Sequence, residues 1–149
     1  KLGEMHFSSV NMRPGKPQTL GLITAHGKKP VPFFGLPGNP TSTFVGFEMF
    51  VRPALLKMQG FKHILRPTCK ALLGHDIKKR QNRRYYLRGS VSKNEAGVFV
   101  AHVEGNQSSA LLASAHRANC FIILPEDSTQ ALAGSEVTCM WLDRPEGTE

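Results

Sequence analysis

The chain has 149 residues, 40% of them apolar, and carries 19 Lys and Arg against 11 Asp and Glu, a formal charge of +8. That apolar fraction supports a packed core and excludes wholesale disorder, while the excess of cations favours anionic partners. No apolar run approaches the ~20 residues of a membrane-spanning helix, and the opening residues lack the apolar centre of a signal peptide. Cys69, Cys120 and Cys139 are far apart with no CxxC pair, so neither a zinc ribbon nor a disulfide framework is indicated. Reduced thiols in a cytoplasmic setting are expected. The chain opens on Lys1 and runs quickly into motif residues, which reads as a piece of a longer protein.

Residues 7–12 read as a short strand ending at a first proline–glycine loop, Arg13-Pro14-Gly15-Lys16-Pro17. Residues 19–24 are apolar and β-prone, and His26-Gly27-Lys28-Lys29-Pro30 reads as a turn. Residues 31–34 then lead into a second loop, Gly35-Leu36-Pro37-Gly38-Asn39-Pro40. Proline locks φ and glycine enters conformations closed to other residues, so each loop fixes a backbone path. A helix over 41–58 follows, opening on cap-type residues, with Phe44, Phe47, Val51, Leu55 and Met58 at helical spacing. Pro53 lies inside that pattern and should kink or restart it. Free N–H groups at such a helix start suit an anion, and Arg13 and Lys16 add two charges beside the first turn. The chemistry suggested is the handling of phosphate or another oxyanion.

Arg66-Pro67 marks a boundary, giving expected domains of 1–65 and 66–149. Beyond it, residues 68–73, 85–92, 97–103, 118–124 and 136–142 are short, apolar or alternating runs separated by turn residues. Five strands at this spacing predict a small all-β barrel or sandwich, with one helical turn fitting between 109 and 116. The expected fold is an α/β segment followed by a small all-β barrel domain.

The run Lys78-Lys79-Arg80-Gln81-Asn82-Arg83-Arg84 reads first as a solvated hairpin tip. Tyr85 and Tyr86 follow it, so stacking on nucleic-acid bases is the alternative. Arg88 lies inside a strand pattern, where the sheet aims its side chain and lets it reach a phosphate in a defined direction. Gly105-Asn106-Gln107-Ser108-Ser109 is a polar loop whose simplest form is a β-turn. The six histidines show no metal-ligand spacing, no Ser/His/Asp or Cys/His set stands out, and carboxylates that would hold Mg²⁺ are not evident.

In this order the motifs resemble the C-terminal part of the molybdopterin molybdenumtransferase family, which includes MoeA and the E domain of gephyrin. The resemblance rests on Met12-Arg13-Pro14-Gly15-Lys16-Pro17, Gly35-Leu36-Pro37-Gly38-Asn39-Pro40, Tyr86-Leu87-Arg88-Gly89, Gly105-Asn106-Gln107-Ser108-Ser109 and Ala118-Asn119-Cys120-Phe121. These are collinear over nearly the whole chain, and the Gly-Leu-Pro-Gly-Asn-Pro loop is the most specific. The resemblance implies that 1–65 is the C-terminal part of a molybdopterin-binding-like α/β domain and 66–149 the C-terminal β-barrel domain. It implies insertion of molybdate into adenylylated molybdopterin, with Mg²⁺ assisting and AMP leaving, in a full-length homodimer whose Mg²⁺ ligands lie outside this stretch. Lys16 and Arg88 then match catalytic positions. Arg13, Pro14, Gly15, Pro37, Gly38, Asn39, Pro40 and Ser109 match substrate-binding ones, with Arg88 and Ser109 reaching the site across a subunit interface.

Two positions depart from the family: Arg13 stands where Lys is usual, and Ser9 where many members carry a further Lys. The resemblance implies that this stretch alone is inactive, with no nucleic-acid or membrane partner. One rival is a basic β-domain binding nucleic acid through residues 78–84, which leaves the two loops unexplained. Another is a non-catalytic scaffold module of the same family.

Overall fold

The structure is a computed structural model that describes residues 3–24, 28–105, 107 and 117–144. Part of the expected turn at 26–30, the helical turn expected between 109 and 116, and Ser109 lie outside the described residues. In chain order the first half supplies β1 (Gly3–Phe7), β2 (Met12–Arg13), β3 (Thr19–Ile23), β4 (Val31–Gly35), α1 (Pro40–Gly46) and α2 (Arg52–Met58). A single π-helical turn, Phe47–Val51, joins the two helices.

Strands β1, β3 and β4 form an antiparallel sheet in the order β1-β3-β4. The single strand expected over 7–12 is instead two, because the Val10 amide turns away to the Lys16 carbonyl (2.9 Å) and closes the first loop. The helix is interrupted and restarted at Pro53, as expected. Pro53 lacks an N–H and crowds the preceding turn, so the chain widens there: the Arg52 amide reaches back five residues to the Phe47 carbonyl. Pro53 then sits in the first turn of α2, where proline is well tolerated. The extra residue rotates the apolar stripe. Thr41, Ser42, Val45, Gly46 and Glu48 are the buried positions, while Phe47, Leu55 and Met58 are exposed.

The second half supplies β5 (Thr68–Leu73), β6 (Ile77–Lys78), β7 (Arg84–Lys93), β8 (Phe99–Val103), β9 (Cys120–Leu124), β10 (Gln130–Ala131) and β11 (Glu136–Trp141). Five of these close a barrel in the order β7-β8-β5-β11-β9, with β9 returning to β7. All its pairings are antiparallel except β5 with β8. Strand β7 changes partner along its length, meeting β9 over its first half and β8 over its second, and Gly89 belongs to both registers. A Cβ at Gly89 would lie 2.6 Å from Ile122 Cδ1 and 2.8 Å from the His102 carbonyl oxygen, so the barrel corner requires glycine. The basic run is not a hairpin tip. Strand β6 pairs with β10 rather than β7, and residues 79–83 link two separate sheets.

Tyr85 alternates with Tyr86 across β7, and so do the two cores. Tyr85 joins Leu73, Val91, Ile122, Leu124 and Trp141 inside the barrel. Tyr86 joins Met12, Val45, Phe121 and Met140 between the barrel wall and the helix. Strand β9 is buried on both faces for this reason: Cys120, Ile122 and Leu124 point into the barrel, Phe121 toward the helix. The rings expected to stack on bases are only 5% (Tyr85) and 7% (Tyr86) exposed, so no base-stacking platform exists there.

A second tie joins the halves. The Arg66 guanidinium grips the buried Glu48 carboxylate through Nε–Oε2 (3.0 Å) and Nη2–Oε1 (3.2 Å) and donates from Nη1 to the Arg144 carbonyl (3.1 Å). The helix, the linker and the end of the barrel strand are thereby held at one point.

Candidate functional site

The first loop is shaped from within. Lys16 offers its carbonyl to the amides of Val10 and Gln18, both at 2.9 Å, and Gly15 adopts φ +96°, a left-handed conformation that favours glycine. Gln18 is buried, and its Nε2 donates to the Ser42 carbonyl of α1 at 3.4 Å. Both glycines around it leave room for its amide: a Cβ at Gly15 would lie 2.5 Å from Nε2, and one at Gly46 2.5 Å from Oε1. Gln18 therefore pins the first loop to the helix that follows the second.

The second loop does not present a free helix start. Asn39 Oδ1 accepts from the amides of Thr41 (3.1 Å) and Ser42 (3.3 Å), its carbonyl accepts from Thr43 N at 2.9 Å, and Pro40 has no N–H. Thr43 Oγ1 donates to the carbonyls of Pro37 and Asn39. The amides expected to face an anion are consumed by the cap. What the loop delivers instead is Thr41, at the helix start, to Arg88.

Arg88 is 1% exposed and donates from Nη1 to Thr41 Oγ1 at 3.0 Å, spanning from barrel to helix. Burial pulls its guanidinium below the ordinary arginine value. Gln107 clamps the backbone behind it: its Oε1 accepts from Arg88 N (3.0 Å), and its Nε2 donates to the carbonyls of Arg88 (3.0 Å) and Glu104 (2.7 Å). On the other side, β2 lies parallel to β7 with Arg13 opposite Tyr85, which sets the Arg13 guanidinium 5.4 Å from the Tyr85 ring centre.

These groups line a cavity of about 360 Å³. Arg13, Lys78, Arg80 and Arg88 face it, with Asp76 the sole carboxylate among the lining residues. Asp76 is engaged, accepting from Ala133 N at 2.7 Å through Oδ1. Thr41, Gln107 and the Pro14 ring complete the polar and rigid parts of the wall. A small site with four cations facing one carboxylate is built for an anion.

Of the residues named from sequence, Arg13, Pro14 and Arg88 meet in this cavity, and Gly15 lies just behind it beside Gln18. Lys16 is exposed and is not among the lining residues; nor are Pro37, Gly38, Asn39 and Pro40, whose part is to shape and cap α1. Sequence reasoning gave no part in this site to Thr41 and Gln107, and read Tyr85 only as a ring for stacking on bases. Thr41 and Gln107 stand inside or beside quoted motifs, so their polar side chains were the available signal. Among the described residues no group of three or more His, Cys, Asp or Glu is placed to hold a metal ion.

Residues 70–142 match a family model described as the MoeA C-terminal region (domain IV), and residues 1–57 match one described as a probable molybdopterin binding domain. The chain belongs to the MoeA family, as its C-terminal portion. A molybdopterin molybdenumtransferase of Staphylococcus aureus is 38% identical over 134 residues, covering 90% of this chain and 30% of that protein. Its counterpart in Haemophilus influenzae is 34% identical over 139 residues, covering 93% of this chain and 33% of that protein. A solved molybdopterin biosynthesis MoeA protein from Pyrococcus horikoshii superposes with a TM-score of 0.69 at 29% identity, covering 92% of this chain and 32% of that one. The chain thus spans about a third of the length of the curated relatives it matches. The solved relative is named a molybdopterin biosynthesis protein, and this chain's β-barrel following a short helix and strands is the MoeA arrangement.

Proposed function

We propose that this chain forms the oxyanion wall of a molybdenum-inserting site, which takes up molybdate and adenylylated molybdopterin and releases AMP. The observation that carries this is the convergence of Arg13 and Arg88, from different halves of the fold, on one cavity with Lys78 and Arg80. Molybdate is a compact dianion and the pterin substrate carries phosphate. Fixed guanidinium donors in a half-buried cavity hold such groups by charge-assisted hydrogen bonds and stabilise charge that builds as a phosphate leaves. Arg88 is aimed by Thr41 and Gln107 and would orient the oxyanion. Arg13 would share its charge, and the exposed Lys16 would meet substrate phosphate from the loop. Ser109 keeps the substrate-binding part that the family motif suggests. Mg²⁺, supplied by residues outside this stretch, would neutralise phosphate. Homodimerisation and a cytoplasmic location belong to the same proposal. So does inactivity of this stretch alone.

The test is molybdate-dependent AMP release from adenylylated molybdopterin by the full-length protein carrying this chain. Arg88→Ala and Lys16→Ala should each slow release at least tenfold. Release at the wild-type rate in both variants refutes the assignment.

A further inference from the structure

We propose that Tyr85 is the positioning residue for Arg13, holding that guanidinium by a cation–π contact so that its N–H donors stay available to the anion. The inference rests on the oxyanion site proposed above and deepens it.

Three observations converge on the ring. Arg13 lies 5.4 Å from its centre and Lys79 5.2 Å, so two cations share one aromatic surface. The ring is itself fixed: Tyr85 is 5% exposed, packed in the barrel core, and its hydroxyl oxygen accepts from Arg80 N at 3.2 Å. The backbone sets the approach, because Arg13 and Tyr85 are direct partners in the parallel β2–β7 pairing.

The contrast with other arginines gives the arrangement its meaning. Arg84 is paired with Glu126 at 2.9 Å and Arg66 with Glu48 at 3.0 Å, so carboxylates take up their in-plane donors. Among the described residues no carboxylate pairs with Arg13. An ion pair orders a guanidinium but consumes the donors and cancels the charge that a bound oxyanion would use. A cation–π contact with a ring orders it and leaves both.

The experiment titrates molybdate into the full-length protein carrying this chain, in the wild type and in Tyr85→Met, Tyr85→Phe, Arg13→Ala and Arg13→Ala/Tyr85→Met variants, with the unfolding midpoint of each recorded. Tyr85→Met, which fills the core without a ring, should weaken binding by about fivefold, the upper range of a cation–π contact to an exposed cation, and Tyr85→Phe by less than about twofold. In the Arg13→Ala background Tyr85→Met should add nothing. An equal loss in that background would mark a general structural effect and overturn the inference, as would equal losses in the Phe and Met variants. Wild-type binding by Arg13→Ala would instead overturn the oxyanion site beneath it. A second readout needs no core substitution: ring current should shift the Arg13 Hε resonance upfield, and an unshifted resonance overturns the cation–π contact.

Discussion

Gly46 ends α1, and in an open helix replacing glycine by alanine gains about 0.5–1 kcal/mol. Here the sign should reverse. The new Cβ would lie 2.5 Å from Gln18 Oε1, 2.6 Å from Nε2 and 2.8 Å from Cδ, so the amide would have to move by roughly 1 Å to reach ordinary contact. It has nowhere to go. Gln18 is 1% exposed, bonded to the Ser42 carbonyl, and backed by Gly15, where a Cβ would stand 2.5 Å from the same amide. Overpacking of this kind costs about 1–3 kcal/mol, and straining a buried hydrogen bond adds to it. Gly46→Ala should therefore lose about 1–2 kcal/mol net after the helix-propensity gain. Urea denaturation would show a lower midpoint at unchanged slope. Gly38→Ala, with nothing within 4 Å of its Cβ, is the control and should stay within about 0.5 kcal/mol. Gln18→Ala should cost less in the Gly46→Ala background than alone, because there it also relieves the clash. Stabilisation by Gly46→Ala, or a value matching Gly38→Ala, refutes the proposed locking of loop to helix.

Glu48→Gln removes the charge that Arg66 grips in a largely buried site, and should lower stability by about 2–4 kcal/mol in the same denaturation assay; a loss under about 0.5 kcal/mol contradicts the tie between the halves. Arg88→Lys keeps a positive charge but loses the planar donor that reaches Thr41, so molybdate affinity should fall at least tenfold and stability by about 1.5–3 kcal/mol; unchanged affinity means charge alone suffices. The Cys139 sulfur and burial push the Cys120 thiol up, and burial pushes that of Cys69 up. Both should resist Ellman's reagent at about pH 8 in the folded protein and react on unfolding, since the thiolate is the nucleophile. Prompt reaction of Cys120 would contradict its place in the barrel core.

Local chemistry made much of the scaffold legible. Strand β5 stands at the bounds read from its apolar run, and the other four barrel strands overlap theirs closely, because alternation and turn residues operate within a few positions. What failed depended on partners far along the chain. The break at Pro53 was legible, but not that it would take the form of a π turn shifting the stripe from Phe44 to Met58 by one residue. The amides after Pro40 looked open to an anion, but Asn39, one residue earlier, takes them. Tyr85 and Tyr86 followed a basic run, and aromatic residues there look alike whether they face solvent or a core. Only the β2–β7 and β7–β9 pairings show them turned inward. Arg88 was legible as aimed by a strand, whereas its meeting with Thr41 joins residues that only the tertiary fold brings together.

The central claim is that Arg13 and Arg88 frame an oxyanion site. Anomalous diffraction from crystals of the full-length protein soaked in tungstate, a heavier analogue of molybdate, tests it directly. A peak is predicted inside the cavity, within hydrogen-bond reach of both guanidinium groups, and absent in the Arg88→Ala variant. A peak at the Pro37–Pro40 loop or at Lys16, with the cavity empty, contradicts it.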